Sequence, residues 1–177
     1  NYQKIVDILF NEIGVSRVCC IDQNTSVILN TGKVSGLVVN IGEYETIFCP
    51  VYNRQSFDSN QLDIGGNDIK QLLKNEKCYN FENAKCYVAY DYEYEKNQLR
   101  DGKRINCTEV LLQPSLNCHE FKGIPEKIVE IIDQCDIECQ KEIYSNIVLI
   151  GKYSSLPGLV SRIEKEINIK KNFQIQV

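Results

Sequence analysis

Apolar positions recur along this chain with two different periods, and the switches between them mark out its elements. The opening stretch "NYQKIVDILFNEIG" places Ile5, Ile8, Leu9 and Ile13 on one face of a helix running to about Glu12. "SRVCCID" reads as a short buried strand and "QNTSVILNTG" as a second helix. From Ser35 to Ile41 and again from Glu45 to Tyr52 the residues are apolar and β-branched, with Gly42 between, which predicts a hairpin. "QSFDSNQLDIGG" extends the meander by a third strand ending at Gly65–Gly66. "NDIKQLLK" returns to helical spacing, with Asn67 or Asp68 placed to cap it.

The middle of the chain is polar and rich in tyrosine, with a helix predicted to start around Ala84–Ala89 and a hairpin turn at Asp101–Gly102. "CTEVLLQPS" predicts a short helix ended near Pro114. "GIPEKIVEIIDQCD" is amphipathic: Pro125 suits a first turn, and Ile128, Ile131, Ile132 and Cys135 face one way. "DIECQKEIYSN" follows as a helix capped by Asp136, and "IVLIG" is a continuous apolar run of the kind a central strand has. "LPGLVSRIEKEIN" gives a last helix and "FQIQV" a final alternating strand. A strand meander followed by helices, a strand and a further helix makes a mixed α/β domain.

Composition narrows the function classes. Of 177 residues, 43% are apolar and 25% charged, enough for a core of useful size. A net charge of -4 with dispersed Lys and Arg argues against direct nucleic-acid binding, and no apolar run is long enough to span a bilayer. The chain has no Met, so it reads as a fragment, a processed product or part of something longer. Its nine cysteines are odd in number, irregular in spacing and without a C-x-x-C, which points to reduced thiols acting as small hydrophobes. Cys118–His119 with Cys135 and Cys139 is the best metal candidate, but the paired spacings of structural zinc sites are missing and no metal is expected. His119, the only histidine, reads as a solvated loop residue.

Several stretches then resemble the actin family, in order and over nearly the whole chain. The longest is "GIPEKIVEIIDQCDIECQKEIYSNIVLIGKYSSLPGLVSRIEKEI"; "LLQPS", "KCYVAYDYEYE" and "LDIGGNDI" match further family segments. The resemblance implies an RNase-H-like α/β sheet with flanking helices, repeated in two domains around a nucleotide. This chain is similar to the second domain. The implied division is a hinge helix and entry segment at 1–34, the strand meander and helix of the inner subdomain at 35–74, a reduced outer subdomain at 75–108, and the rest of the inner subdomain at 109–177. The outer part is expected to be reduced because the connections from Lys74 to Cys86 and from Tyr94 to Cys107 are short.

The same resemblance assigns a nucleotide site and shows where it departs. The family's second phosphate loop, Asp-Ser-Gly-Asp-Gly-x-Thr-His, is Asn40, Ile41, Gly42, Glu43, Tyr44, Glu45, Thr46 and Ile47 here. Asn40 lacks the charge of the acid that organises metal-bound water. Glu43 keeps a carboxylate one methylene longer. Tyr44 replaces a glycine valued for its lack of a side chain, at a cost in strain if its φ is positive. Gln23 stands where the family's glutamine orients water. On the adenosine side, where the family has Ser-Gly-Gly-Thr-x-Met-Tyr-Pro-Gly, Gly151 is kept, Lys152 replaces the glycine on which the nucleotide lies, Tyr153 stands in place of the threonine, and Leu156 replaces a stacking tyrosine. The family's Lys-Glu pair is Glu82 and Asn83.

The candidate cofactor-binding residues are therefore Gly42, Glu43, Gly66, Gly151 and Lys152, with Gln23 the one retained catalytic candidate. On motif evidence alone the three glycines read first as turn glycines of the fold. With several electrostatic elements gone, efficient ATP hydrolysis is not expected, and ATP or ADP with magnesium binds weakly or not at all. The segment Leu116–Phe121, which helps join filament strands in actins, is more polar here. The resemblance thus implies a divergent actin-like cytoskeletal or scaffolding subunit with protein partners, namely actin-like subunits or a multi-subunit complex, and a cytoplasmic location. The alternatives are an actin-type ATPase completed by a first domain and an actin-related subunit of a nuclear chromatin complex.

Overall fold

A computed structural model describes residues 2–75, 86–98, 103–117 and 122–171. Helix α1 (Tyr2–Asp7) continues as a π-wound turn, Ile8–Glu12. The predicted apolar face is there, but Ile5, Ile8 and Ile13 are exposed, since the described chain offers nothing to cover it. The strand predicted for "SRVCCID" does not form: residues 15–22 carry no regular structure, and Cys19, Cys20 and Ile21 are exposed. A strand needs a partner for its backbone groups, and none runs alongside among the described residues.

Helix α2 (Gln23–Asn30) begins where Asp22 Oδ1 accepts the backbone N–H groups of Asn24 and Thr25 at 2.9 and 3.1 Å. Strands β1 (Gly36–Ile41) and β2 (Thr46–Tyr52) form the predicted antiparallel hairpin, with Ile41 opposite Thr46. The expected third strand is split into β3 (Gln55–Ser56) and β4 (Asn60–Leu62), both paired with β2. Asn53 and Arg54 take positive φ in the two-residue turn into β3.

Helix α3 (Gly66–Asn75) follows. Its predicted cap acts backwards: Asp68 Oδ2 accepts the N–H of Gly65 at 2.9 Å. Residues 86–89 carry no helix, contrary to expectation; Val88 N–H donates instead to the Pro157 carbonyl at 2.8 Å, which holds this stretch against the start of the last helix.

Helices α4 (Tyr92–Gln98) and α5 (Lys103–Glu109) come next, then a 3-10 turn at Pro114–Asn117. The helix expected near Pro114 thus ends earlier, at Glu109. Helices α6 (Ile124–Gln134) and α7 (Ile137–Tyr144) stand as predicted, except that Asp136 makes no side-chain cap bond. Strand β5 (Ile147–Ile150) leads into α8 (Leu159–Lys171). The predicted turn at Asp101–Gly102 and final strand at 173–177 lie outside the described residues.

The sheet runs β3-β2-β1-β5, with β5 parallel to β1. Among the described residues β5 pairs only with β1, so the apolar run read as a central strand closes this path. Side chains alternate across β1. Leu37, Val39 and Ile41 enter the main core with Phe48, Ile69, Ile128, Ile132 and Ile163; Val38 faces the other way onto Ile28 of α2. Each such aliphatic contributes about 1.5–3 kcal/mol on burial. Cys49, Cys86, Cys107 and Cys139 are buried among these hydrophobes, as their sequence context suggested. No described helix is long and apolar enough to cross a membrane.

Candidate functional site

Asn40 and Ile150 lie side by side at the carboxyl ends of the parallel pair β1 and β5, and Gly42 and Gly151 follow them. In open α/β sheets this is where ligands bind. The β1–β2 turn, residues 42–45, is closed by the N–H of Gly42 donating to the Glu45 carbonyl at 2.9 Å. Its own carbonyls face α3: Gly66 N–H donates to Gly42 O at 3.0 Å, and Asn67 N–H to Glu43 O at 2.6 Å. The first amides of α3, which at a free helix end could receive an anion, are thus bonded to the turn.

Both oxygens of Glu43 are engaged. Lys70 Nζ donates to Oε1 at 2.6 Å, and the Tyr153 phenol donates to Oε2 at 2.7 Å. The bond from Lys70 first, and that from Tyr153 next, hold the Glu43 carboxyl below its ordinary value of 4.5. The bond to Glu43 pushes the Lys70 ammonium up. Burial, and then the Glu43 carboxylate, push the Tyr153 phenol up. At neutral pH the set is therefore an anion, a cation and a neutral phenol. The ammonium groups of Lys70 and Lys152 lie 5.9 and 5.8 Å from the centre of the Tyr153 ring, within range of cation–π attraction.

Tyr153 lies in the connection between β5 and α8, yet it is only 1% exposed. Its ring rests on Gly66, where an added Cβ would come within 1.8 Å of the ring's Cζ. Close approach, not an unusual φ, demands glycine at this position. Gly151 is a glycine for both reasons. Its φ is +95°, and a Cβ would meet the Ile41 carbonyl oxygen at 2.5 Å and Asn40 Oδ1 at 2.6 Å.

The structure thus brings Gly42, Glu43, Gly66, Gly151 and Lys152 to one end of the sheet. Gln23 opens α2 with an exposed side chain and, among the described residues, no hydrogen bond to the turn. Neither Gly42 nor Tyr44 has a positive φ, so the strain expected at Tyr44 does not arise; its side chain is 72% exposed. Thr46, retained in the loop pattern, ties the turn from below by donating to the Ile64 carbonyl at 2.8 Å. Glu82, Asn83, Cys118, His119, Glu120 and Phe121 lie outside the described residues. Two clefts, of about 410 and 390 Å³, open elsewhere, one beside Pro114 and Pro125 and the other beside Asp22 and Arg54.

Sequence reasoning missed Lys70 and Tyr153. Lys70 had a faint signal, since it lies one helical turn beyond Gly66 and so on the same face. Tyr153 had a stronger one: a large aromatic in a loop beside a retained glycine.

Comparison with known proteins bears on nearly all of the chain. The family model described as "Actin" matches residues 93–177, a stretch that includes Gly151, Lys152 and Tyr153. Actin-related protein 2 of Drosophila melanogaster is 31% identical over 203 aligned positions, covering 94% of this chain and 51% of that protein. Actin-related protein 2 of Acanthamoeba castellanii is 30% identical over 203 positions, covering 94% of this chain and 52% of its own length. The chain therefore spans about half the length of these curated relatives. Both alignments run longer than the chain's 177 residues, so the relatives carry positions that this chain lacks.

Proposed function

We propose that this chain, which belongs to the actin family, is an actin-related subunit that acts through protein contacts in a cytoskeletal assembly rather than by turning over ATP. The observation that carries the second half of this reading is the state of Glu43. It is the carboxylate kept in the turn, and Lys70 and Tyr153 hold its two oxygens. Each oxygen of that carboxylate already accepts one bond, so magnesium or its waters would compete with Lys70 and Tyr153 for it, and Asn40, three positions earlier, carries no charge. Likeness to actin-related proteins supports a partner set of actin-like subunits or a multi-subunit complex in the cytoplasm. The shortened connections support a reduced outer lobe within 75–108.

The test uses the full-length protein with magnesium and ATP, following phosphate release, alongside co-purification from cells. The expected outcome is no turnover above background together with recovery of actin-like subunits. Phosphate release at a rate like that of actin would instead establish an ATPase and end this reading.

A further inference from the structure

We propose that Tyr153 is a built-in occupant of the site at the ends of β1 and β5: its side chain fills the place of a nucleotide and ties together the three segments around it. This rests on the reading of the chain as a subunit that does not hydrolyse ATP, and gives that reading a physical cause.

The residues present do not fit a nucleotide with magnesium. Gly66 offers a bare backbone surface, and the Tyr153 ring already covers it at a distance that excludes even a methyl group. The ring is 1% exposed, so the space above it is closed by protein. Glu43 has both oxygens bonded, and one of its two partners is the same tyrosine. The amides at the start of α3 are held by the turn carbonyls. Lys152 stands beside Gly151 where the resembled pattern has a second glycine.

A nucleotide could enter only by removing the ring. That step would break the 2.7 Å bond to Glu43 and draw the ring away from the ammonium groups of Lys70 and Lys152. It would also return to water an aromatic surface of roughly 150–250 Å². The incoming polyphosphate would then meet the Glu43 carboxylate, whereas the phenol meets it as a neutral hydrogen-bond donor. In the pattern this chain resembles, the place of Tyr153 is held by a threonine. Retention of Gly66 under a larger residue means that the floor of the site is kept and the ligand's volume is supplied by the chain itself.

The experiment compares full-length wild type with Tyr153→Thr, titrating ATP with magnesium by calorimetry and by thermal melting. Wild type is expected to bind no tighter than millimolar and to melt at the same temperature with or without ATP. Tyr153→Thr is expected to melt lower, to bind at least tenfold more tightly than wild type, and to be raised in melting temperature by ATP. Micromolar binding by wild type, or a folded Tyr153→Thr that gains nothing, overturns the proposal. If Tyr153→Thr does not fold, Tyr153→Phe decides: it keeps the ring and loses the bond, so it should exclude ATP yet melt lower. A melting temperature equal to wild type, or new ATP binding, overturns the proposal. Binding without turnover in wild type removes the plug alone and leaves the subunit reading standing; turnover removes both.

Discussion

Arg162 on α8 donates from Nη2 to Oε1 of Glu109 on α5 at 2.7 Å, with both side chains almost wholly out of water. The same guanidinium donates to the Ala89 carbonyl at 2.7 Å and to Glu166 at 2.7 Å. One side chain thus joins α5, the stretch before α4 and its own helix. Burial pushes the Glu109 carboxyl up, and Arg162 opposes that push. Arg162→Leu is expected to lose about 3–5 kcal/mol in urea unfolding, because it leaves a buried carboxylate alone. Glu109 then binds a proton more readily in the folded than in the unfolded chain, so the deficit should narrow as the pH falls. The double change with Glu109→Leu should recover part of the loss.

Tyr153→Phe is expected to destabilise the fold, but by less than Tyr153→Ala, because the Glu43 carboxylate that accepts its bond is partly exposed and solvent takes over some of the lost interaction. Tyr153→Ala is expected to cost about 3–5 kcal/mol, since it also empties a packed aromatic site. Chemical denaturation of the two variants side by side measures the difference.

Acid should weaken the same contact. The folded Glu43 carboxyl lies below its ordinary 4.5, so its bonds to Lys70 and Tyr153 contribute fully above that value and are lost as the pH falls through the folded one. Glu43→Gln should therefore melt below wild type at pH 7 and converge with it in acid. Thermal melts across pH 3 to 7 check this, and parallel curves would refute it.

Gly66 and Tyr153 are expected to be energetically coupled. Gly66→Ala drives a methyl into the ring and should cost about 1–3 kcal/mol. In Tyr153→Ala the same methyl finds space, so the double variant should be more stable than the sum of the single costs implies. A double-mutant cycle reads the coupling directly.

Thiol labelling should follow exposure. Cys19 and Cys20 are exposed, whereas burial pushes the Cys135 thiol up to about 11 and also raises that of Cys139. Iodoacetamide at pH 7.5 should modify the first pair while leaving Cys135 and Cys139 largely unmodified, since the thiolate is the reacting form. Peptide mass spectrometry over a time course reports the order.

The elements most legible in the sequence were those whose period and punctuation agreed. The hairpin around Gly42, helix α6 with Pro125 in its first turn, and α8 after Pro157–Gly158 all combine an apolar pattern with a matching turn residue. "SRVCCID" misled because its apolar residues look buried only if a partner strand exists, and no local pattern shows that. The site was half legible. Gly42, Glu43, Gly66, Gly151 and Lys152 could be named as candidates because the actin resemblance carries over position by position along the sequence. Tyr153 could not be joined to Glu43, because 110 positions separate them and only the assembled sheet brings them together.

That assembly also has a time order. Ser35, just before β1, accepts at its carbonyl a hydrogen bond from the side-chain amide of Asn146, just before β5, across 111 positions. On a ribosome the β1–β2 hairpin emerges many seconds before β5 does, at the usual pace of about 5–20 residues per second. Through that interval one edge of β1 has no partner, and Gly66 has no ring above it. Contacts spanning such a distance tend to form late in folding. A weakened Tyr153–Glu43 bond should then speed unfolding far more than it slows folding. For the intact protein, this places the tyrosine as a latch whose main effect is on lifetime.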